Sequence, residues 1–274
     1  MTTNELAWPT QAAYVSDAGR VRQQNEDCGL VDLKRTLFIV SDGMGGHQSG
    51  EAASRSVVTM LPHLIEQRVT LLPPPSTEAI GLALRDAIVE LSQRLRAESA
   101  GRAGLQGMGA TVAVAWLRGS IAHLAHIGDS RIYLFRHERL MQLTEDHSVI
   151  ALLLRHGEIT LEEVQTHPMR GRLSRYVGME GEVSPDVQTV QLQAGDRLLL
   201  CSDGLTNMVS GTQIAHLLQI NAEPAGACRA LVNAANAAGG TDNITALVVD
   251  CGSGEASREN AGEASMQRQD HMAQ

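Results

Sequence analysis

The chain has 274 residues and a formal net charge of -9 at pH 7. That length is enough for one domain with a large core or for two small domains. An acidic chain lacks the basic surface that attracts nucleic acids and anionic membranes, so we expect neither as a partner. No apolar run approaches the roughly 20 residues of a membrane span, and residues 1–11 lack the layout of a signal peptide. We therefore predict a cytoplasmic protein.

The cysteines and the single lysine exclude several kinds of site. The four cysteines are widely scattered without paired spacing, so neither a zinc knuckle nor a disulfide framework is indicated. None of them is followed six positions later by arginine, which removes the phosphate loop of cysteine-based phosphatases. Lys34 lies in no glycine-rich loop, so a P-loop is excluded and a kinase is not indicated.

The hydrophobic pattern predicts a mixed α and β chain. Strands are predicted at residues 13–17, 28–33, 38–40, 107–117, 121–127, 131–135, 183–192, 197–201 and 244–250. Helices are predicted at 49–69, 80–95, 145–156, 210–218 and 223–239, with a short one opened by a capping box at 160–163. Residues 252–274 are polar with almost no apolar side chains, so we expect a disordered tail.

Two apolar strands end in the same tripeptide, Ser41-Asp42-Gly43 and Ser202-Asp203-Gly204. Asp-Gly between two strands is a strong hairpin signal. Here each pair is followed by a helical pattern, so there is no hairpin to make and we favour a functional role for both carboxylates.

Two further acids stand at predicted strand ends. Asp129, between Gly128 and Ser130, fits a tight turn and a metal role equally well, and Asp242 is open to the same two interpretations. If all four acids met at one edge of packed sheets, they would repel one another unless cations neutralised them. Oxygen ligands without paired His or Cys favour Mg²⁺ or Mn²⁺ over zinc. Two such ions can activate a bridging water for displacement at phosphorus, with Asp42 as the best bridge.

A loop at residues 19–27 adds Arg22, which has the forked geometry to hold phosphate oxygens. A second segment, residues 169–181, carries three arginines among glycines. It is compatible with a cationic flap beside a phosphate site and with a solvated surface loop.

Taken together, these motifs resemble the PPM (type 2C) family of metal-dependent protein serine/threonine phosphatases in its bacterial stand-alone form. The resemblance covers residues 13–250. It is carried in order by residues 21–27 (VRQQNED), 42–47 (DGMGGH), 109–111 (GAT), 128–131 (GDSR), 146–148 (DHS), 167–168 (HP), 202–205 (SDGL) and 242–245 (DNIT).

The resemblance implies an α+β fold, an α-β-β-α sandwich of two antiparallel sheets flanked by helix pairs. It implies one phosphatase domain over residues 1–251, with a flap at about 155–175. It also implies a set of metal and phosphate contacts. Asp42 would bridge two ions, Glu26 and the Gly43 carbonyl would serve one of them, Asp203 and Asp242 the other, Asp129 a weaker third ion, and Arg22 would clamp the phosphate.

The implied reaction is hydrolysis of phosphoserine or phosphothreonine in proteins by metal-activated water, without a covalent intermediate. A Ser/Thr protein kinase would oppose it, and we expect a monomer. The alternatives are a phosphoesterase acting on small molecules or nucleotides, and a catalytically silent binding module. Eukaryotic members place a histidine proposed as general acid directly after the Asp-Gly pair. Met44 stands there instead, which leaves His47 and a metal-bound water as candidate acids.

Overall fold

The computed structural model describes residues 8–45, 48–70, 76–102 and 107–252. Its strands are β1 Thr10–Asp17, β2 Asp27–Asp32, β3 Leu37–Met44, β4 Gly109–Ala110, β5 Val112–Arg118, β6 Ile121–Ile127, β7 Arg131–Arg136, β8 Arg139–Gln142, β9 Asp186–Gln191, β10 Arg197–Cys201 and β11 Ile244–Cys251. Its α-helices are α1 Gln48–Thr70, α2 Thr77–Gly101, α3 Val149–Arg155, α4 Asp203–Thr206, α5 Gly211–Ile220 and α6 Pro224–Ala237. His47 and the predicted tail beyond Gly252 lie outside the described residues.

The strands form two antiparallel sheets. One has the order β1-β11-β10-β7-β8, and the other has the order β2-β3-β5-β6-β9 with β4 paired to β3. Side chains of a strand alternate between its two faces, so each buried strand contributes side chains to two apolar layers. In β3, Phe38 and Val40 enter the core between the sheets, whereas Leu37 and Ile39 face α1 and α2.

The same alternation builds the opposite side of the molecule. In β10, Leu198 and Leu200 lie between the sheets, whereas Leu199 and Cys201 join the core beneath α5 and α6. The molecule therefore has three apolar layers: one between the two sheets, and one between each sheet and the helix pair that covers it. The predicted α-β-β-α sandwich is confirmed.

Two local predictions were wrong in detail. The strand predicted over 107–117 is interrupted at Thr111, and β4 and β5 lie on either side of it. Only half of the capping box at Thr160 forms: the Glu163 carboxylate accepts from the Thr160 N–H at 2.8 Å, but the Thr160 hydroxyl donates to that carboxylate instead of accepting from the Glu163 N–H. It is followed only by a 3₁₀ turn, Glu163–Gln165, rather than by an α-helix. The strand β8 and the short helix α4 were not predicted.

Register places the acidic strand ends at one edge of the sandwich. Asp27 at the start of β2 pairs with Asp42 near the end of β3. In the other sheet, the end of β10 and the start of β11 lie side by side, with Cys201 opposite Ala246. Among the described helices, none combines the length and apolar character that a membrane-spanning segment needs.

Candidate metal centre

Seven of the predicted site residues line one cavity of about 270 Å³ at this edge. They are Arg22, Glu26, Asp42, Gly43, Asp129, Asp203 and Asp242. We call this space the carboxylate cavity. The sequence predicted that these acids converge, and the structure brings them together from strand β3, from the start of α4 and from three connecting loops.

Asp27 lies behind the cavity and was not predicted as a site residue. Its side chain is buried, and the Ser202 hydroxyl donates to its Oδ2 at 2.7 Å. The same hydroxyl accepts from the Thr245 N–H at 3.0 Å, which ties the two sheets together behind Asp42. Burial, reinforced by the charges of Asp203 and Asp242, raises the pKa of Asp27 to about 7.

The cavity carboxyls resist ionisation for the same reasons. Burial and the neighbouring carboxylates raise the pKa of Asp42 well above its ordinary value. Burial and the charge of Asp203 raise the pKa of Asp129 to about 8, and the pKa of Asp203 is raised in the same way. A cation placed among them would relieve this cost.

Two buried oxygens support a cation site. Among the described residues, Asp27 Oδ1 and Asp203 Oδ1 are buried without a hydrogen-bond partner. Buried polar atoms are nearly always satisfied, so each of these oxygens calls for an explanation. Because all the candidate ligand atoms are oxygens, the residues present fit Mg²⁺ or Mn²⁺ better than zinc.

Glu26 is held at the cavity by close backbone packing. Its N–H donates to Asn243 Oδ1 at 2.8 Å, and its carbonyl accepts from the Gly43 N–H at 3.2 Å. Gly50, in the first turn of α1, lies so close that a Cβ there would be 1.8 Å from Glu26 Oε2. A side chain at position 50 would therefore displace the carboxylate.

Arg22 contacts a predicted ligand directly. Its Nη2 donates to Asp242 Oδ2 at 2.8 Å, and 53% of its side chain is exposed. The loop that carries it is fixed by Asn243, whose Nδ2 donates to the carbonyls of Ala18 and Gln24 at 3.1 and 2.8 Å. Asn243 therefore positions both Arg22 and Glu26, a role that the sequence did not reveal.

Thr111 connects two of the acidic turns. Its Oγ1 accepts from the Asp42 N–H at 2.9 Å, and its own N–H donates to the Asp42 carbonyl at 2.8 Å. Its hydroxyl also lies 2.6 Å from Ser130 Oγ, next to Asp129. The strand break at Thr111 is thus the point where the Asp42 backbone is connected to the Ser130 side chain, next to Asp129.

Comparison with known proteins places this site in a family. The model of the family described as Protein phosphatase 2C matches residues 20–232. The chain belongs to the protein phosphatase 2C family. It is 40% identical over 242 residues to the serine/threonine phosphatase stp of Listeria monocytogenes, covering 87% of this chain and 95% of that protein.

Solved structures agree with the family assignment. The serine/threonine phosphatase Stp1 from Staphylococcus aureus superposes with a TM-score of 0.80 and 30% identity, covering 91% of this chain and 98% of that one. The catalytic domain of the serine threonine protein phosphatase PstP, in complex with two manganese ions, gives a TM-score of 0.74 and 35% identity, with 88% and 98% covered. The expectation that this chain is a phosphatase enzyme is confirmed.

In this member of the 2C family, a second polar cluster lies beside the cavity. Within the described residues it is the group whose potential ligand atoms come closest, with His126, His147 and Asp186 within 4.8 Å of one another. No three ligand atoms of the described cavity carboxylates come that close, as expected for groups that repel one another. The cluster therefore has to be judged as a metal site on its own geometry.

Hydrogen bonds account for the histidine cluster without an ion. His147 Nδ1 accepts from the Gly128 N–H at 3.2 Å, so its Nε2 carries the hydrogen that faces Asp186 Oδ2 at 3.1 Å. The His126 and His147 rings are stacked at 4.5 Å and 25°, so their lone pairs lie in nearly parallel planes and do not converge. We therefore assign the cluster to positioning of the Gly128–Asp129 turn.

Proposed function

We propose that this phosphatase hydrolyses phosphoserine and phosphothreonine in proteins with two divalent ions, Mn²⁺ or Mg²⁺. The observation that carries the proposal is the carboxylate cavity, in which acids from distant parts of the chain come together. Among the described residues, Asp203 Oδ1 in the cavity and Asp27 Oδ1 behind it are buried without a hydrogen-bond partner. The related proteins named above are serine/threonine phosphatases, and one of them is described with two manganese ions.

We assign the ligand roles that the family resemblance implies. Asp42 interacts with the charges of the other cavity aspartates and would be shared by the two ions, with Glu26 and the Gly43 carbonyl on one side. Asp203 and Asp242 would hold the other side, and Asp129 with Asp203 would hold a third ion when one binds. Divalent ions bound in such a site lower the pKa of water and stabilise the charge that develops on phosphoryl oxygens.

The protein groups then divide the remaining tasks. Arg22 is exposed at the mouth and presents a guanidinium fork to the nonreacting phosphate oxygens. Thr111 is the one hydroxyl side chain among the described residues that line the cavity, and it already accepts from the Asp42 N–H and contacts Ser130. Thr111 is also buried, so a substrate has little access to its hydroxyl, which favours direct attack by water.

Protonation of the leaving group has no side-chain donor at the position after Asp-Gly. Met44 lines the cavity and has no proton to give. His47 remains a candidate from the sequence, outside the described residues, and water is the other. The opposing kinase, the monomeric state and the cytoplasmic location also stay predictions.

A phosphatase assay on phosphoserine, phosphothreonine and phosphotyrosine peptides tests the proposal. We expect hydrolysis of the first two with Mn²⁺ or Mg²⁺, and loss of hydrolysis with chelator. Asp42→Asn and Asp203→Asn should lose activity by several orders of magnitude while melting cooperatively. Asp32→Asn, on the far end of β2, is the control that should stay active. Faster turnover of nucleotides than of phosphopeptides would support a small-molecule phosphoesterase instead.

A further inference from the structure

A second cavity of about 610 Å³ opens beside the carboxylate cavity, between α3, the 3₁₀ turn of the flap and the segment after α4. We call it the flap groove. Asp129, Gly171, Asp203 and Asp242 line both spaces, so the two are continuous. A ligand whose phosphate lies at the carboxylates therefore has the groove immediately next to it.

The wall of the groove away from the acids is apolar. It is formed by Ile150, Ala151 and Leu154 of α3, with Val164 of the 3₁₀ turn and Met208. Leu154 follows Ala151 by three residues and Ile150 by four, so its side chain lies next to both of them on the helix surface. Ile150 is buried and the other four are partly exposed. This is a surface that would gain from being covered by an apolar side chain.

Several polar groups of the groove are already engaged with one another. Arg131 makes a two-pronged ion pair with Asp146, at 2.8 and 2.6 Å. The Ser148 hydroxyl caps α3 by accepting from the Ala151 N–H, and Asn207 Nδ2 donates to Asp203 Oδ2. Arg170 is exposed at the rim. The α3 side of the groove therefore offers a ligand apolar contacts, and Arg170 gives the rim one cationic edge.

We infer that the flap groove is the subsite for an apolar side chain adjacent in sequence to the phosphoserine or phosphothreonine of the substrate. The inference rests on the proposed function and adds a substrate class to it, namely phosphoproteins with a leucine-like residue beside the phosphorylated one. Consecutive residues of an extended peptide lie about 3.3–3.6 Å apart along the chain, so a neighbour of the phosphorylated residue reaches a space that adjoins the phosphate site.

The test compares two phosphoserine peptides that differ only at the residues immediately before and after phosphoserine, both leucine or both glycine. With Mn²⁺, we expect kcat/KM to be about tenfold higher for the leucine peptide, as for apolar contacts in other specificity pockets. Leu154→Glu should abolish this preference, so that kcat/KM becomes equal for the two peptides. Leu152→Glu, an exposed position on the same helix, should retain it.

Melting temperatures show whether Leu154→Glu is folded, and Val164→Glu on the 3₁₀ turn provides a second variant with less effect on the core. Equal turnover of both peptides by the unaltered chain would overturn the groove assignment and leave the proposed function standing. The same holds if the preference survives in a folded Leu154→Glu or Val164→Glu variant. No hydrolysis of either peptide would instead overturn the proposed function, and the groove assignment with it.

Discussion

At the scale of single residues, the absence of a side chain at Gly50 is as important as the carboxylate of Glu26. A Cβ at position 50 would be 1.8 Å from Glu26 Oε2, so Gly50→Ala must displace this proposed ligand. We expect the Mn²⁺ concentration for half-maximal activity to rise about tenfold, the usual effect of disturbing a metal ligand. Alanine also favours the helix by about 0.5–1 kcal/mol, so the fold should survive.

Gly81→Ala is the matched control for that prediction. Gly81 lies inside α2, and the nearest atom to its added Cβ is Val187 Cγ2 at 3.8 Å. Its metal dependence should equal that of the unaltered chain. If Gly50→Ala also shows unaltered metal dependence, Glu26 is not a ligand.

Arg22 pairs with Asp242 in the structure, and we propose that it also binds the substrate phosphate. Because Arg22 pairs with Asp242 at 2.8 Å, Arg22→Ala frees a predicted ligand while it removes the phosphate clamp. We expect KM for phosphopeptides to rise about tenfold with a smaller change in kcat. Mn²⁺ affinity measured by calorimetry should stay the same or increase. A fall in Mn²⁺ affinity would show that Arg22 supports the metal site itself, and an unchanged KM would remove it from phosphate binding.

The residues that the sequence identified share a local signal. Asp42 and Asp203 each follow an apolar strand and precede glycine and a helix, so a short window is enough to single them out. Asp27 and Ser202 are 175 positions apart, and their hydrogen bond depends on how two sheets stack. Asn243 acts on Glu26 across 217 positions. All three were present in the quoted motifs, but their roles depend on long-range register that no window contains.

At the scale of elements, His147 links the flap to the Asp129 turn. The His147 N–H donates to the Gly128 carbonyl at 2.9 Å, and its own carbonyl accepts from the Ser174 N–H at 2.8 Å. Its ring contacts Gly128 through Nδ1 and Asp186 through Nε2, and Arg175 Nη1 donates to the same carboxylate at 2.9 Å. Movement of the flap is thus coupled to the turn that carries a predicted ligand.

Two substitutions separate the two functions of the His147 ring. Asparagine places an acceptor near Nδ1 and retains the Gly128 contact, whereas glutamine places a donor near Nε2 and retains the Asp186 contact. We expect His147→Gln to weaken Mn²⁺ activation about tenfold, as loss of supporting contacts does at other metal sites. His147→Asn should keep metal activation and speed amide exchange at residues 172–175. His156→Gln, an exposed histidine, controls for the substitution, and identical behaviour of the two His147 variants would contradict the coupling.

Elements with strong periodicity were predicted well, and elements shaped by the site were not. The helix α5 has its predicted capping box, because the Ser210 side chain accepts from the Gln213 N–H and Gln213 Oε1 accepts from the Ser210 N–H. The strand predicted over 107–117 has the expected β-branched composition. It nevertheless breaks at Thr111, where hydrogen bonds to Asp42 replace regular pairing. Local propensity yields where tertiary contacts at the cavity compete with it.

At the scale of the whole molecule, the acids at the sandwich edge make stability depend on pH and on metal. In metal-free protein, Asp27 and Asp129 have pKa values of about 7 and about 8, well above the ordinary value of 3.8. Between pH 6.5 and pH 8 the folded chain therefore binds more protons at these carboxyls than the unfolded chain does. The free energy of unfolding must then fall as pH rises, by at most about 1.4 kcal/mol per pH unit for each group.

Below pH 6.5 the buried histidines act in the opposite direction. Burial lowers the pKa of both His126 and His147 to about 4, so between pH 4 and 6.5 the unfolded chain binds more protons at these sites and stability rises with pH. With chelator, we therefore expect the melting temperature to fall between pH 6.5 and 8, where proton loss from the folded carboxyls outweighs the remaining titration of the histidines in the unfolded chain. Saturating Mn²⁺ should raise the melting temperature and remove this fall, because bound ions neutralise the acids.

A pair of variants on β2 assigns the pH effect to the cavity. Asp27→Asn removes one of the titrating carboxyls, so in chelator its melting temperature should fall less steeply above pH 6.5. Asp32→Asn changes the same residue type at the other end of the strand, where hydrogen bonds from Arg35 outweigh burial and lower the pKa of the carboxyl. Asp32 is ionised in both folded and unfolded chains throughout this window, so its replacement should leave the slope unchanged. Equal slopes for both variants and the unaltered chain, or a slope that persists in Mn²⁺, would mean that repulsion among the edge carboxylates does not control stability above neutral pH.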